Sequence, residues 1–338
     1  MPFRTVDGEV HLCLVTVDPD TSVETIDYVF PGGDGTTKET AVQVSTFGRL
    51  IDADEDAEMS GKYIQVMNDI DIADESWYTG YISKNRYHNY IFATTNKKIQ
   101  GITVVTQQGI IYAADTSSRC TFENISLLNW VLRCTSTSNT AILGPTTTDS
   151  AAAWITLLNF SLSVRVIGNS SNIIRVFGSH MASNNVSIYI DNCPTHTLQV
   201  IGIGASTTPN IKENINVVVS GGNVLCNNMF GERCRRMSVV IKDSNLTNVA
   251  SVSTANNVRS QQTYYAYSNC TFGVTTPVSV FSTNLNMIAC DTTPYPFELA
   301  STSGNVTILA TMVDETDPNF ETSSIKSKQF LIDSGFLP

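Results

Sequence analysis

A chain of 338 residues with 42% hydrophobic side chains can bury a large core, yet only 15% of it is charged, well under the quarter usual for a soluble protein. A net charge of −11 and a pI near 4.7 argue against a nucleic-acid partner over most of the surface. No run approaches the ~20 apolar residues of a bilayer span, so no membrane insertion is expected.

Residues 1–30 read as an extended N-terminal arm. Val10 to Val17 alternates like an amphipathic strand, includes His11 and is followed by no small-residue cleavage site, so it is not a secretory signal and folding in a cytoplasm is expected. The run PGGDGTTKE from Pro31 reads as turns. STFGRLIDADEDAE then predicts a helix, with Ser45 or Thr46 as N-cap, Phe47, Leu50 and Ile51 inward, and the acidic residues from Asp54 onward in water. Gly61 stops it. In GKYIQVMNDIDIAD, Tyr63, Gln65 and Met67 alternate with Ile64 and Val66, a strand signature. Residues 31–98 are thus a capping helix and a first coil.

From 99 to 312 almost nothing helical can be drawn, and one phrase returns. Asn124-Ile-Ser-Leu, Asn159-Phe-Ser-Leu, Asn185-Val-Ser-Ile, Asn214-Ile-Asn-Val, Asn269-Cys-Thr-Phe and Asn305-Val-Thr-Ile share a pattern, and Arg236-Met-Ser-Val and Asn286-Met-Ile-Ala fit it less well. Successive anchors lie 17 to 35 residues apart, near the length of one solenoid coil. A second phrase lies between anchors, a short apolar strand closed by Gly144, Gly178, Gly204 or Gly231. In a parallel stack each coil sits ~4.8 Å above the last, and alternate apolar residues form continuous inward ladders. Asn suits the corner before such a strand, because it tolerates left-handed backbone angles and its amide can bond to backbone or to the same Asn one coil away.

These features predict a mainly β fold, a single-stranded right-handed parallel β-helix (solenoid) with a helical N-terminal cap, about eight coils and roughly 40 Å long. Residues 99–312 form the helix itself. Its open ends need covers, which the helix near 46–58 and the C-terminal tail 313–338 can supply.

The residues AVQVSTFGRLIDADEDAEMSGKYIQVMNDIDI resemble the opening module of GLUG-type β-solenoid proteins of bacteriophages and gut bacteria, through Thr46, Leu50, Gly61 to Tyr63 and Asn68 to Ile72. NKKIQGITV from Asn96 is similar to the coil that follows there, and KSKQFLIDSGF to the tails that close such chains. FATTNKK stands where that family has an F-x-G-x-x-D-G turn. The resemblance implies a β-solenoid and a place in phage or bacterial surface structures.

Chemistry is sparse in the sequence. DADEDAE (Asp52 to Glu58) lacks the Gly and Glu of a calcium loop and reads as a solvated helix face. Asp69 and Asp71 lie on one side of a strand, as paired carboxylates do in glycoside hydrolysis, but strand termination and turn hydrogen bonding explain them, which leaves them weak catalytic candidates. Asp191 and Asp243 each follow a repeat strand and are weak catalytic candidates or corner residues. Tyr264, Tyr265 and Tyr267 are candidates for stacking on a glycan, or for packing against another coil or subunit. His11, His88, His180 and His196 form no metal pair, so neither metal nor cofactor is expected. The eight cysteines show no C-x-x-C spacing and are expected to be buried thiols. Seven N-x-S/T sequons fall mainly on the repeat anchors and are expected to be structural. ERCRR at Glu232 to Arg236 reads as a solvated turn.

The expectation is a non-enzymatic structural protein of a bacteriophage virion, a tail, fibre or capsid-surface element made in the host cytoplasm and docked through its arm. The partners implied are other virion proteins, further copies of the chain in a trimer by analogy with phage rods, and a host-surface glycan for the tyrosines. Two alternatives are a tailspike-like polysaccharide hydrolase or lyase and a bacterial surface adhesin.

Overall fold

A computed structural model describes residues 3–6, 9–17, 24–72, 89–101, 103–106, 110–111, 119–134, 140–143, 154–168, 173–177, 181–192, 197–201, 212–225, 234–247, 261–272, 278–282, 286–290, 297–302 and 306–309. The expected C-terminal cap at 313–338, Asn169, Asn305, Cys193, Cys226, His88, His180 and His196 lie outside the described residues.

Three strands, β1 (Phe3–Val6), β2 (Glu9–Val17) and β3 (Glu24–Tyr28), pair antiparallel in the order β1-β2-β3. The amphipathic strand expected at Val10–Val17 is present. It is the middle strand of a small sheet, with β1 paired along Glu9–Leu12 and β3 along Cys13–Val17.

The opening module follows with β4 (Val42–Val44), α1 (Phe47–Glu55), a 3-10 turn at Ala57–Met59, β5 (Tyr63–Val66) and β6 (Ile70–Asp71). Thr46 is the N-cap of α1. Its Oγ1 accepts the Arg49 N–H at 3.3 Å and so satisfies one of the orphan donors of the first turn. Phe47, Leu50 and Ala53 are fully buried. The expected solvated face is a correction: Asp52 and Asp54 are buried too. The helix is enclosed beyond a single apolar stripe, and Asp52 is held by Arg49 at 3.3 Å. Arg49 in turn lies over the Phe30 ring, 4.3 Å from its centroid.

The remainder is a strand series: β7 (Asn89–Gln100), β8 (Thr103–Thr106), β9 (Arg119–Cys134), β10 (Thr140–Leu143), β11 (Trp154–Gly168), β12 (Ile173–Phe177), β13 (Met181–Asn192), β14 (Thr197–Ile201), β15 (Lys212–Ser220), β16 (Asn223–Leu225), β17 (Cys234–Lys242), β18 (Asn245–Thr247), β19 (Gln261–Ser268), β20 (Thr271–Phe272), β21 (Val278–Ser282), β22 (Asn286–Cys290), β23 (Phe297–Thr302) and β24 (Val306–Leu309). Cys234 to Arg236, read as part of a turn, open β17. From β9 to β20 the strands alternate without exception between two sheets. The odd-numbered ones join a long sheet ordered β24-β22-β19-β17-β15-β13-β11-β9-β7-β5-β4, and the even-numbered ones a short sheet ordered β10-β12-β14-β16-β18-β20. Every pairing in both sheets is parallel. The protein is therefore mainly β and built on parallel sheets. The long sheet is open, with β4 and β24 as its outer strands. The Gly-closed phrases of the sequence supply β10, β12, β14 and β16 of the short sheet.

Register turns the repeated phrase into columns. Phe160, Val186, Ile215 and Met237 are successive partners, and so are Leu127, Leu162, Ile188, Val217 and Val239. Every described side chain of these columns is buried, apolar on apolar at one strand spacing. Phe122 and Phe160 meet edge to face at 6.4 Å across two strands. Trp130 is wholly buried, donates from Nε1 to the Ile99 carbonyl at 3.2 Å, and lies so close to Gly101 that a Cβ there would fall 2.3 Å from the ring. No side chain other than hydrogen fits.

The anchoring asparagines do what their chemistry suggests. Asn124, Asn159, Asn185 and Asn214 have φ between 48° and 62°. Each left-handed residue shifts the two-residue alternation by one. In β11 Ile155 and Leu157 are buried before Asn159, and Phe160, Leu162, Val164 and Val166 after it. The Asn is thus a bend inside a continuous strand, rather than a corner ahead of it. The amides stack: Asn159 Nδ2 donates to Asn124 Oδ1 at 3.1 Å, Asn185 Nδ2 to Asn159 Oδ1 at 2.5 Å, and Asn214 Nδ2 to Asn184 Oδ1 at 2.8 Å.

Asn269 belongs elsewhere. It sits where the long sheet turns into the short one, with φ 50°, and its Nδ2 bonds Asp243 Oδ1 at 2.6 Å. Asp243 occupies the equivalent turn between β17 and β18, and Gly221 and Gly222, both at positive φ, the one before it, between β15 and β16. Register also shows which residues replace Asn farther along: Arg236 and Gln262 fall in that frame on β17 and β19.

Candidate functional site

Of the carboxylates singled out by sequence, Asp69 and Asp71 are exposed and flank the buried Ile70, so they share one side of the strand. Asp69 Oδ1 accepts the backbone N–H of Lys98 at 2.9 Å, which ties β6 to β7. Asp191 is exposed and faces Arg165 at 3.3 Å on the neighbouring strand, a surface pair of the kind that contributes about 0–1 kcal/mol. Asp243 holds the left-handed position of a turn and accepts from Asn269. From β6 to β13 is four strand steps, roughly 19 Å. Glycosidic carboxylates act across about 5–9.5 Å, so Asp69 and Asp71 do not converge with Asp191.

Tyr264, Tyr265 and Tyr267 lie on β19. Their backbone register sets Tyr265 beside Val239 and Tyr267 beside Ile241, columns whose described side chains are buried, and Tyr264 beside Ser238. Ser126, Ser161 and Ser187 precede Ser238 in that column, and Ser161 Oγ donates to Ser126 Oγ at 2.6 Å.

The best-formed polar cluster escaped sequence reading. Lys38, in the 31–40 turn segment, donates from Nζ to Glu123 Oε2 at 2.7 Å, and the Tyr90 hydroxyl donates to the same oxygen. The Lys38 ammonium also lies 4.9 Å from the Tyr90 centroid and 5.4 Å from that of Phe92. Tyr63 completes the group, 5.0 Å from Tyr90. Register explains the meeting, since Tyr63 pairs Tyr90 and Phe92 pairs Glu123. The bond to Glu123 raises the Lys38 pKa, against a smaller opposing effect of burial. Partial burial disfavours the Glu123 anion, but the bonds from Lys38 and Tyr90 outweigh it and hold the carboxyl below its usual range. Burial, then the Glu123 bond, raises Tyr90.

The same segment is stiffened at Asp34. Thr36 N donates to its Oδ1 at 3.0 Å, and this bond with those of the Thr40 and Thr36 hydroxyls holds its carboxyl at about 2. Lys62 Nζ donates to the Asp34 carbonyl at 2.7 Å. Chemically the cluster is a clamp that fastens 31–40 across β5, β7 and β9. Both ionic partners satisfy each other, and the Tyr90 face is occupied by Lys38. Lys38 and Glu123 lie 85 residues apart, and no local pattern joins them.

Cys120 and Cys270 are buried and unbridged, as expected of structural thiols. Among the described residues no His, Cys, Asp or Glu group is placed to hold a metal ion, and no helix is long and apolar enough to cross a membrane. The side-chain amides of Asn124, Asn159, Asn185, Asn245 and Asn269, all in sequons, are engaged in hydrogen bonds to neighbouring strands or turns. No protein-family model matches the chain, and no curated protein or solved structure matches it either.

Proposed function

We propose that the chain is a right-handed parallel β-helix with a helical N-terminal cap, and that it serves as a non-enzymatic structural component of a bacteriophage virion, in a tail, fibre or capsid surface. The observation that carries this is the strict alternation of β9 to β20 between two parallel sheets. A chain that adds one strand to each sheet per circuit is winding about an axis, and parallel crossovers are right-handed in nearly all known cases. Such a stack grows by repeating one rung and yields a stiff rod, the property a projecting or packing element needs.

The placement of the acidic residues supports a structural role, since Asp69, Asp191 and Asp243 each hold a bond that fastens one rung to another. The similarity of the 41–72 segment to GLUG-type modules supports the phage setting. The β1–β3 sheet is the docking element in this account, with β1 and β3 as outer strands suited to strand addition by a partner protein. Removing residues 1–30 is expected to exclude the protein from particles, whereas normal incorporation contradicts docking by that segment. Incubating the purified chain with host capsule is expected to leave the polysaccharide intact, and its depolymerisation would overturn the non-enzymatic assignment.

A further inference from the structure

β4 is an outer strand of the long sheet, yet its free edge is closed. Along an extended strand, alternate residues turn their backbone groups to opposite edges. Val44 faces β5, since its carbonyl accepts the Met67 N–H at 2.9 Å. Ala41 and Gln43 therefore face outward, where a bare edge invites another strand. The preceding segment bends back to meet them. The Gln43 N–H donates to the Pro31 carbonyl at 2.8 Å, and the Gly33 N–H donates to the Ala41 carbonyl at 3.2 Å. Gly32 and Val42 form the antiparallel bridge between these two bonds.

We propose that residues 31–41 are a plug over a latent self-association edge, and that β4 without the plug pairs with β4 of a second copy of this chain. Two details make the segment a stop rather than one more strand. Pro31 has no N–H, so it cannot return a second bond to Gln43, and the pairing ends there. Gly32 has φ 97°, outside the range of a strand, so the rim of the plug is a poor template in its turn. The fit is specific as well. A Cβ on Gly32 would fall 2.3 Å from the Ala41 carbonyl oxygen, and one on Gly33 2.6 Å from that of Thr40. Only hydrogen suits either place.

The plug is also fastened beyond what a connection needs. Gly35 N donates to the Thr40 carbonyl at 2.6 Å, and the Gly35 carbonyl accepts from Tyr63 N at 2.8 Å. Lys62 Nζ and the Lys38–Glu123 pair add ties to β5 and β9. Beneath it, the edge is self-complementary. β4 is Val-Gln-Val, which reads alike in both directions. A two-fold axis would set Gln43 opposite the partner's Gln43, the pair in which each N–H meets the other's carbonyl. Val42 would then oppose the partner's Val44 on the inner face, where both valines are already buried. None of this depends on the virion setting.

The test is sedimentation velocity of full-length G32V/G33V over a range of concentrations, beside the wild type. The expected result is a species of twice the wild-type mass, associating about tenfold more tightly or better. Adding Q43K should return it to the wild-type mass, because the two-fold would bring two ammonium groups face to face. Circular dichroism checks that strand content is kept. Should the double variant lose it, Gly33→Ala, which brings only the clash with Thr40, takes its place and is read in the same way. A folded plug variant that sediments like the wild type overturns the proposal, and so does association that survives Q43K. Association of the unaltered chain that Q43K abolishes would show the edge to be open, and overturns it too.

Discussion

The lower and upper halves of the long sheet are built from the same rung by different means. In β9, β11, β13 and β15 a left-handed Asn bends the strand and donates its amide to the neighbouring strand. In β17 and β19 the equivalent positions are Arg236 and Gln262, neither with positive φ. Pairing nonetheless continues on both sides of Arg236, where Glu213 pairs Arg235 and Ile215 pairs Met237, and β15 and β17 both run 9 residues. Stacking alone therefore sustains a parallel sheet, and the asparagine adds a left-handed bend and an amide bond between strands.

The comparison breaks most visibly if the Asn-led half does not dominate stability. Trp130→Ala empties a fully buried site and loses the bond to Ile99, so a cost of about 3–5 kcal/mol in chemical denaturation is expected, with the loss of cooperativity beginning in the Asn-led strands. Asn159→Ala is next, at about 2–4 kcal/mol, because it forces Ala into a left-handed backbone and removes two stacked amide bonds. Asn159→Gly keeps the backbone free and is expected to cost only about 1–2 kcal/mol. Equal costs for the two changes would show that the bend itself is unimportant.

The Lys38 clamp is smaller. Lys38→Met is expected to cost at most ~1 kcal/mol at neutral pH, since the lysine is substantially exposed. Its pH signature is directional. Glu123 is held below its free pKa, so its contribution is complete above about 4.3 and is lost as pH falls through the lowered value. Lys38 is raised above its free pKa, so its share is complete below about 10.4 and is lost as pH climbs through the raised value. The difference in melting temperature between wild type and Lys38→Met should thus be widest from pH 5 to 10 and shrink at both ends. A constant difference would mean packing rather than charge. The smallest effect belongs to Arg236→Asn, which offers the upper half a missing rung beside Asn214 and is expected to change stability by less than ~1 kcal/mol.

Much of this architecture was legible because its signals are local. Alternation around Ile64 and Val66, the cap at Thr46 and the Asn-led strands each depend on neighbours within a few residues. The phrase itself misled at Asn269, since Asn-Cys-Thr-Phe has the same letters as a bend but lies at the exit turn, where Gly221 and Asp243 precede it in the stack. Gln262 was invisible for the opposite reason: it holds the equivalent place in the sheet without the characteristic residue. Asp52 and Asp54 read as solvated because acidic residues usually are, and only the surrounding packing buries them. The clamp depends on contacts 85 residues apart.

Central to all of this is that successive Asn-led strands are adjacent, parallel and in step. Cysteine cross-linking in the outward serine column tests it most directly. Ser161 pairs Ser187, and Ser187 leads through Asn216 to Ser238, three steps or about 14 Å from Ser161. Under mild oxidation the S161C/S187C protein should yield a peptide linked between those two positions, and S161C/S238C should yield none. A folded S161C/S187C protein that fails to link, or linkage of S161C to S238C, would contradict the stack.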